Sequence, residues 1–175
     1  GSLFFVTGQE AIGLNPALQE LWRVPVGEVS APTVSPSGAY VYLASKANGL
    51  IAIDAATGET TMPEGETWPA TAPLHPPVVV VHPDGTEKVY VGLTENGQPG
   101  LALFHLAASP DATASLTHVS TQPGTWSRFL PDARPADDGK TILALGHLNG
   151  DTQWRLHAFD WIELEHRESS EPLAF

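Results

Sequence analysis

Two tryptophans occupy matching surroundings, Trp68 in "GETWP" and Trp126 in "PGTWS", and three Asn-Gly pairs recur at Asn48, Asn96 and Asn149. An indole face offers flat apolar area, and a primary amide both donates and accepts hydrogen bonds. Together they suit a sugar ring, a peptide or another planar ligand. The same tryptophans would also serve as wedges between packed units, and their residue type alone does not separate the two roles.

Other chemistry is less well supported by spacing. Seven histidines are present, but His75 and His82 stand seven apart and His105, His118, His147, His157 and His166 are scattered, with no paired metal-ligand spacing. "PDARPADDG" carries Asp132, Asp137 and Asp138 without the alternate-residue spacing of a calcium loop, and Asp138-Gly139 reads as a turn. No nucleophile elbow, phosphate loop or dinucleotide fingerprint occurs. The sequence therefore points to no catalytic residue, no cofactor and no metal.

Bulk charge narrows the partners. With 8 basic and 20 acidic residues among 175, the chain carries a formal charge of −12. Nucleic acid and anionic membranes both require a basic surface, so neither is expected. The longest apolar run, Val78 to Val81, is far too short for membrane insertion by a helix. Cysteine is absent, so the core must suffice without disulfides. The opening Gly1-Ser2 has the character of a cloning remnant, which leaves the compartment open.

The elements that would position these residues repeat. "VSPSGAYVYLASKANGLIAIDA", "VHPDGTEKVYVGLTENGQPGLALFHLA" and "RPADDGKTILALGHLNGDTQWRLHAFDW" align on two turn signals. A polar turn ends at Gly38, Gly85 or Gly139, a strand follows, and the Asn-Gly pair arrives 10, 11 and 10 residues later. Asn-Gly suits a tight hairpin whose two central residues both have positive φ, which predicts a left-handed Asn48. An inner strand before each polar turn (Pro32 to Ser35, Pro77 to His82, Arg128 to Ala133) and an outer strand after the third (Glu59 to Met62, Ala114 to Thr121, Ile162 to Arg167) complete four antiparallel strands. Units start 47 and 54 residues apart, the spacing of β-propeller blades. The N-terminus reads as a further copy lacking its inner strand, with an outer strand ending at Trp22 where "NPALQELW" would otherwise start a helix.

The fold expected is thus an all-β propeller of four blades, or the four-bladed half of an eight-bladed ring. The units fall at 1–30 with 171–175, 31–75, 76–127 and 128–170. Within one chain, "EPLAF" (Glu171 to Phe175) supplies the missing strand beside Leu3 to Thr7; an open half-ring would instead pair two chains as a homodimer. Trp68, Trp126, Asn48, Asn96 and Asn149 would ring one mouth of the channel.

"LIAIDAATGE" resembles the blade repeat of the quinoprotein-like propellers, in which an Ala-x-Asp pair ends the third strand. There an Ala-Thr-Gly turn leads to an outer strand with a docking tryptophan. Residues 31 to 61 fit that pattern, and "LNPALQELW" fits with Asn15 in place of Asp and Trp22 as the docking residue. "AFDW" keeps Asp160 but loses the turn glycine, and Met62 stands where a tryptophan is expected. The resemblance implies either a scaffold propeller or a quinone-dependent dehydrogenase, but the dehydrogenases are about twice this length and commonly use a vicinal disulfide absent here. The reading that follows is a non-catalytic module recognising a protein, peptide or glycan on its loop-rich face. The alternative is a quinone-type oxidoreductase or a glycan-active enzyme fragment.

Overall fold

The computed structural model describes residues 1–63, 69–70, 75–81, 86–95, 98–109, 112–123, 126–135, 141–148, 153, 155–160 and 164–172. Those residues form fifteen strands in four antiparallel sheets. Sheet 1 holds β1 (Leu3–Thr7), β2 (Glu10–Leu14) and β3 (Glu20–Pro25). Sheet 2 holds β4 (Thr33–Val34), β5 (Tyr40–Ser45), β6 (Gly49–Asp54) and β7 (Thr60–Thr61). Sheet 3 holds β8 (Val78–Val81), β9 (Glu87–Glu95), β10 (Gln98–Ser109) and β11 (Ala112–Pro123). Sheet 4 holds β12 (Trp126–Pro135), β13 (Thr141–Leu148), β14 (Arg155–Asp160) and β15 (His166–Ser169). In every sheet the strands lie side by side in chain order.

The uninterrupted apolar runs "YVYLA" and "GLIAI" follow from how these sheets stack. Alternate residues of a strand point to opposite faces. Val41, Leu43, Ile51 and Ile53 meet Ala11, Trp22 and Val26 of the first unit, while Tyr42, Ala44, Leu50 and Ala52 meet Val89, Val91, Leu93, Ala102 and Phe104 of sheet 3. Sheet 3 in turn sets Tyr90, Leu101 and Leu103 against Phe159 and Leu164 of the last unit. Sheets 2 and 3 are thus apolar on both faces. Among the described residues no apolar cluster joins sheet 4 to sheet 1.

The aspartate that ends β6 explains the break after "LIAID". Asp54 Oδ1 accepts from the N–H of Ala56 (2.9 Å) and of Thr57 (2.8 Å) and from Thr57 Oγ1 (3.0 Å). Gly58 N–H then donates to the Asp54 carbonyl at 2.9 Å with φ 78, a left-handed conformation that glycine adopts without strain. Asn15 does the same for the first unit, its Oδ1 accepting from Ala17 and Gln19 N–H at 2.9 and 3.0 Å. That turn sends residues 20 to 25 out as a strand, so the Asn-Pro start does not open a helix.

Trp22 joins the first two units. Its Nε1–H donates to the Ala55 carbonyl at 2.9 Å, and its indole stacks on Phe4 with centroids 5.7 Å apart. Gly13 and Gly58 lie against the indole so closely that an added Cβ would sit 2.4 Å and 2.7 Å from its atoms. No other residue type leaves room there.

The last unit departs from expectation in two ways. Its outer strand begins at His166 rather than Ile162, because Leu164 and Glu165 still belong to the turn. Leu164 N–H donates to the Asp160 carbonyl and Asp160 N–H to the Glu165 carbonyl, the pattern of Gly58, Asp54 and Glu59. Leu164 therefore holds the turn glycine's place, at φ 56. A left-handed leucine costs about 1–2 kcal/mol. Complete burial of its side chain against Val80, Tyr90 and Phe159 contributes about 1.5–3 kcal/mol in return.

Specific polar contacts tie sheets 2 and 3 together. Glu87 accepts from Tyr42 Oη–H and from Ser37 N–H, both at 3.2 Å, and Thr33 Oγ1 donates to the Pro77 carbonyl at 2.7 Å. Burial, with the Glu87 carboxylate, pushes the Tyr42 phenol above the ordinary tyrosine range, and burial with Asp160 does so for Tyr90.

Candidate functional site

Of the five residues singled out in the sequence, Asn48 is described with its side chain and Trp126 by its backbone, whereas Trp68, Asn96 and Asn149 lie outside the described residues. Asn48 does not take the conformation expected of it. The pairing of Ser45 with Gly49 leaves a three-residue loop, Lys46 to Asn48, instead of a two-residue turn. Asn48 is not left-handed; the positive φ belongs to Gly49, at 73°. Leu50 N–H donates to the Asn48 carbonyl at 2.8 Å across Gly49, a γ-turn that only glycine adopts cheaply. Ser45 Oγ accepts from Asn48 N–H at 3.1 Å, which frees the asparagine from the duty the hairpin preference assigned it.

Trp126 is the first residue of β12, paired with Leu148, two residues before the start of the inner strand read from the sequence at Arg128. Leu148 immediately precedes Asn149, so the pairing sets the Trp126 backbone at the β13 end that leads to the third Asn-Gly.

The connection after Trp68 is held at the corresponding place between sheets 2 and 3. Ala70 N–H donates to the Ser45 carbonyl at 2.9 Å, and Thr94 N–H donates to the Pro69 carbonyl at 2.8 Å. Ala70 is itself buried in the cluster shared by those sheets. Two residues past Trp68, the backbone is thus fastened both to the Asn48 hairpin and to the strand end that leads to Asn96. A similar fastening occurs one unit earlier, where Val29 pairs with Ser45 and Lys46 N–H donates to the Glu28 carbonyl at 3.0 Å.

In three units the inner strand therefore begins early and is interrupted. Between Val29 and Thr33 it gains one residue on its partner strand, between Ala70 and Val78 five, and between Leu130 and Arg134 two. Interruptions of this kind re-aim the chain and end regular pairing. Sequence reading placed the inner strands of the second and third units at their regular second halves and missed the first, whereas in the last unit Arg128 to Ala133 takes in most of the first half and misses Arg134 and Pro135. Glu28 was missed too: its carboxylate pairs with Lys46 Nζ at 2.7 Å beside Asn48, and no local pattern announces it. Among the described residues, no three His, Asp or Glu side chains converge as they would around a metal ion.

These observations define a class, an all-β chain of antiparallel sheets stacked in series. No family model matches the chain and no curated protein matches it. Among solved structures it is similar to hydrazine synthase of Kuenenia stuttgartiensis, with TM-score 0.43 and 12% identity over 91% of this chain and 60% of that one. It is also similar to an oligogalacturonate lyase in complex with manganese (TM-score 0.35, 12% identity, 94% of this chain and 60% of that). A third is the dihydro-heme d1 dehydrogenase NirN in complex with DHE (TM-score 0.31, 13% identity, 98% of this chain and 54% of that). The chain thus spans 54 to 60% of the length of these structures.

Proposed function

We propose that the chain is a propeller-type binding module, built on quinoprotein-like repeats, that takes a protein, peptide or glycan on its hairpin end. Trp68, Trp126, Asn48, Asn96 and Asn149 are the contact residues in this reading. The observation that carries it is the fastening of Pro69 and Ala70 between two neighbouring hairpins, because it draws a tryptophan-bearing connection toward two asparagine-bearing turns. Aromatic faces beside amides on a rigid frame are the usual means of holding a planar ligand.

The blade units are 1–30 with 171–175, 31–75, 76–127 and 128–170. Residues 171 to 175 close the ring within one chain; a dimer stable at micromolar concentration would favour two half-rings instead. The binding reading is tested by titrating soluble oligosaccharide and peptide panels against the parent, Trp68→Ala and Trp126→Ala. Binding weakened at least tenfold in both variants, with melting temperatures near the parent's, is the expected result. Melting temperatures that fall by many degrees in both, with binding by the folded fraction intact, would show that the tryptophans are packing wedges.

A further inference from the structure

A second feature lies at the opposite end of the strands, where the Gly38 turn and the Asp54 turn emerge. A groove of about 570 Å³ opens there between sheets 1 and 2. Phe4, Leu21, Val34, Gly38, Ala55 and Ala56 line it. Gly1 and Ser2 border it on the β1 side. We propose that this groove binds an extended peptide whose residues alternate between aliphatic and cationic side chains.

The apolar half of that description comes from the lining. Leu21 and Val34 are each 46% exposed, although both are large hydrophobic residues. The walls are already formed: Phe4 rests on Trp22, Trp22 is bonded to the Ala55 carbonyl, and Asp54 fixes the turn that carries Ala55 and Ala56. A Cβ at Gly38 would meet nothing within 4 Å, so the groove is open above that turn. The volume falls within the range of ligand sites, about 300–1,000 Å³.

The extended form comes from β4, which bears Val34 and is an edge strand of its sheet among the described residues. An edge offers backbone donors and acceptors to an added chain, and alternate side chains of that chain then point one way into pockets and the other way to solvent.

The charge comes from the carboxylates around the groove. Asp54 adjoins Ala55, Glu20 adjoins Leu21, and Glu87 accepts from Ser37 N–H beside Gly38. Asp54, Glu59 and Glu87 also act together on Tyr40, whose phenol is raised by burial first and then by those three carboxylates. Arg23, held between Glu10 and Glu20 at 2.7 Å each, balances Glu20, and Lys46 is at the other end on Glu28, so Asp54 and Glu87 carry the negative charge beside the groove. Carboxylates within about 10 Å of the groove, one Debye length at 0.1 M salt, attract a cationic chain and repel an acidic one.

Three blocked hexapeptides test the proposal: one alternating leucine and lysine, one alternating leucine and glutamate, and one of glycine and serine. Binding is measured by calorimetry at low and high salt and mapped by amide shifts in the ¹⁵N-labelled chain. The leucine–lysine peptide should bind, shift the amides of Leu21, Val34, Gly38 and Ala56, and leave Asn48 unmoved. Its affinity should fall at least tenfold in Val34→Lys and in Leu21→Lys, two exposed positions where folding is checked by the melting temperature. Trp68→Ala and Trp126→Ala should leave it unchanged, so this site and the hairpin-end site stand or fall separately. Equal binding of the leucine–glutamate peptide, shifts confined to other residues, or no binding at millimolar peptide would each overturn the proposal.

Discussion

The seat of Trp22 between two glycines allows backbone strain and steric exclusion to be measured apart. Gly8 has φ 60 and nothing within 4 Å of an added Cβ, so Gly8→Ala introduces strain alone. Gly13 is not left-handed, but its Cβ would lie 2.4 Å from Trp22 Cε2, so Gly13→Ala introduces the clash alone. Gly58 has both, φ 78 and a Cβ 2.7 Å from Trp22 Cβ and Cγ. A left-handed alanine costs about 1–2 kcal/mol, reduced by roughly 0.4–1 through the stiffer unfolded chain, so Gly8→Ala should lose about 0.5–1 kcal/mol. Forcing the indole aside costs about 1–3 kcal/mol of packing, and the Ala55 hydrogen bond contributes about 1 more. With the same unfolded-chain gain subtracted, Gly13→Ala should therefore lose about 1–3.5 kcal/mol and Gly58→Ala about 2.5–5. Urea unfolding at 25 °C followed by tryptophan fluorescence reads these values, and the excess at Gly13 should vanish in a Trp22→Leu background. Gly13→Ala no more costly than Gly8→Ala would mean that the indole is not confined between the glycines.

Three further outcomes follow from particular groups. Tyr42→Phe should lose about 1 kcal/mol in thermal melts, since it removes the hydroxyl that bonds Glu87 across sheets 2 and 3. Stability should also decline above about pH 10, because there the unfolded chain releases tyrosine protons that folded Tyr42 and Tyr90 retain; the limiting slope is about 1.4 kcal/mol per pH unit for each tyrosine. Urea midpoints at about pH 9 and pH 11 check the sign, and Tyr42→Phe should flatten the slope. Leu18→Asn should stabilise the chain by about 0.5–1 kcal/mol, since Leu18 is left-handed at φ 60 and 69% exposed, so little packing is lost; a lowered urea midpoint would contradict this.

Much of the strand order was legible because burial on both faces leaves a continuous apolar run, as in "GLIAI", and because Asp54 and Asn15 mark turns by their own hydrogen bonds. The choice of strand over helix at Glu20 to Pro25 came from the repeat, since the local Asn-Pro signal points the other way. What escaped the sequence is whatever a distant partner decides. Leu164 stands in a glycine's conformation because Tyr90 and Phe159 bury it, and nothing beside it in the chain says so. The early halves of the inner strands in the second and third units, and the start of β12 at Trp126, are set by bonds to Ser45, Thr94 and Leu148, each contributed by another segment. Asn48 misled because Asn-Gly fits more than one hairpin loop, and the length of the loop is fixed by the pairing of Ser45 with Gly49. The groove at the Gly38 turn had no signature, since it lies between units rather than within one.

The serial stacking of the sheets has a further consequence for how the molecule opens. Every apolar cluster among the described residues joins units adjacent in the chain. Such a molecule behaves like a one-dimensional array, in which each unit's persistence depends on how many neighbours hold it. Among the described residues, sheet 1 gives up one apolar cluster on detaching, whereas sheet 2 gives up two. Amide protons of β5, β6, β9 and β10 should then exchange only through the global opening, while those of β1 to β3 leak through a smaller excursion that leaves the interior intact. A ligand seated between sheets 1 and 2 would slow exchange in the first unit most, and so would fasten the end that loosens first.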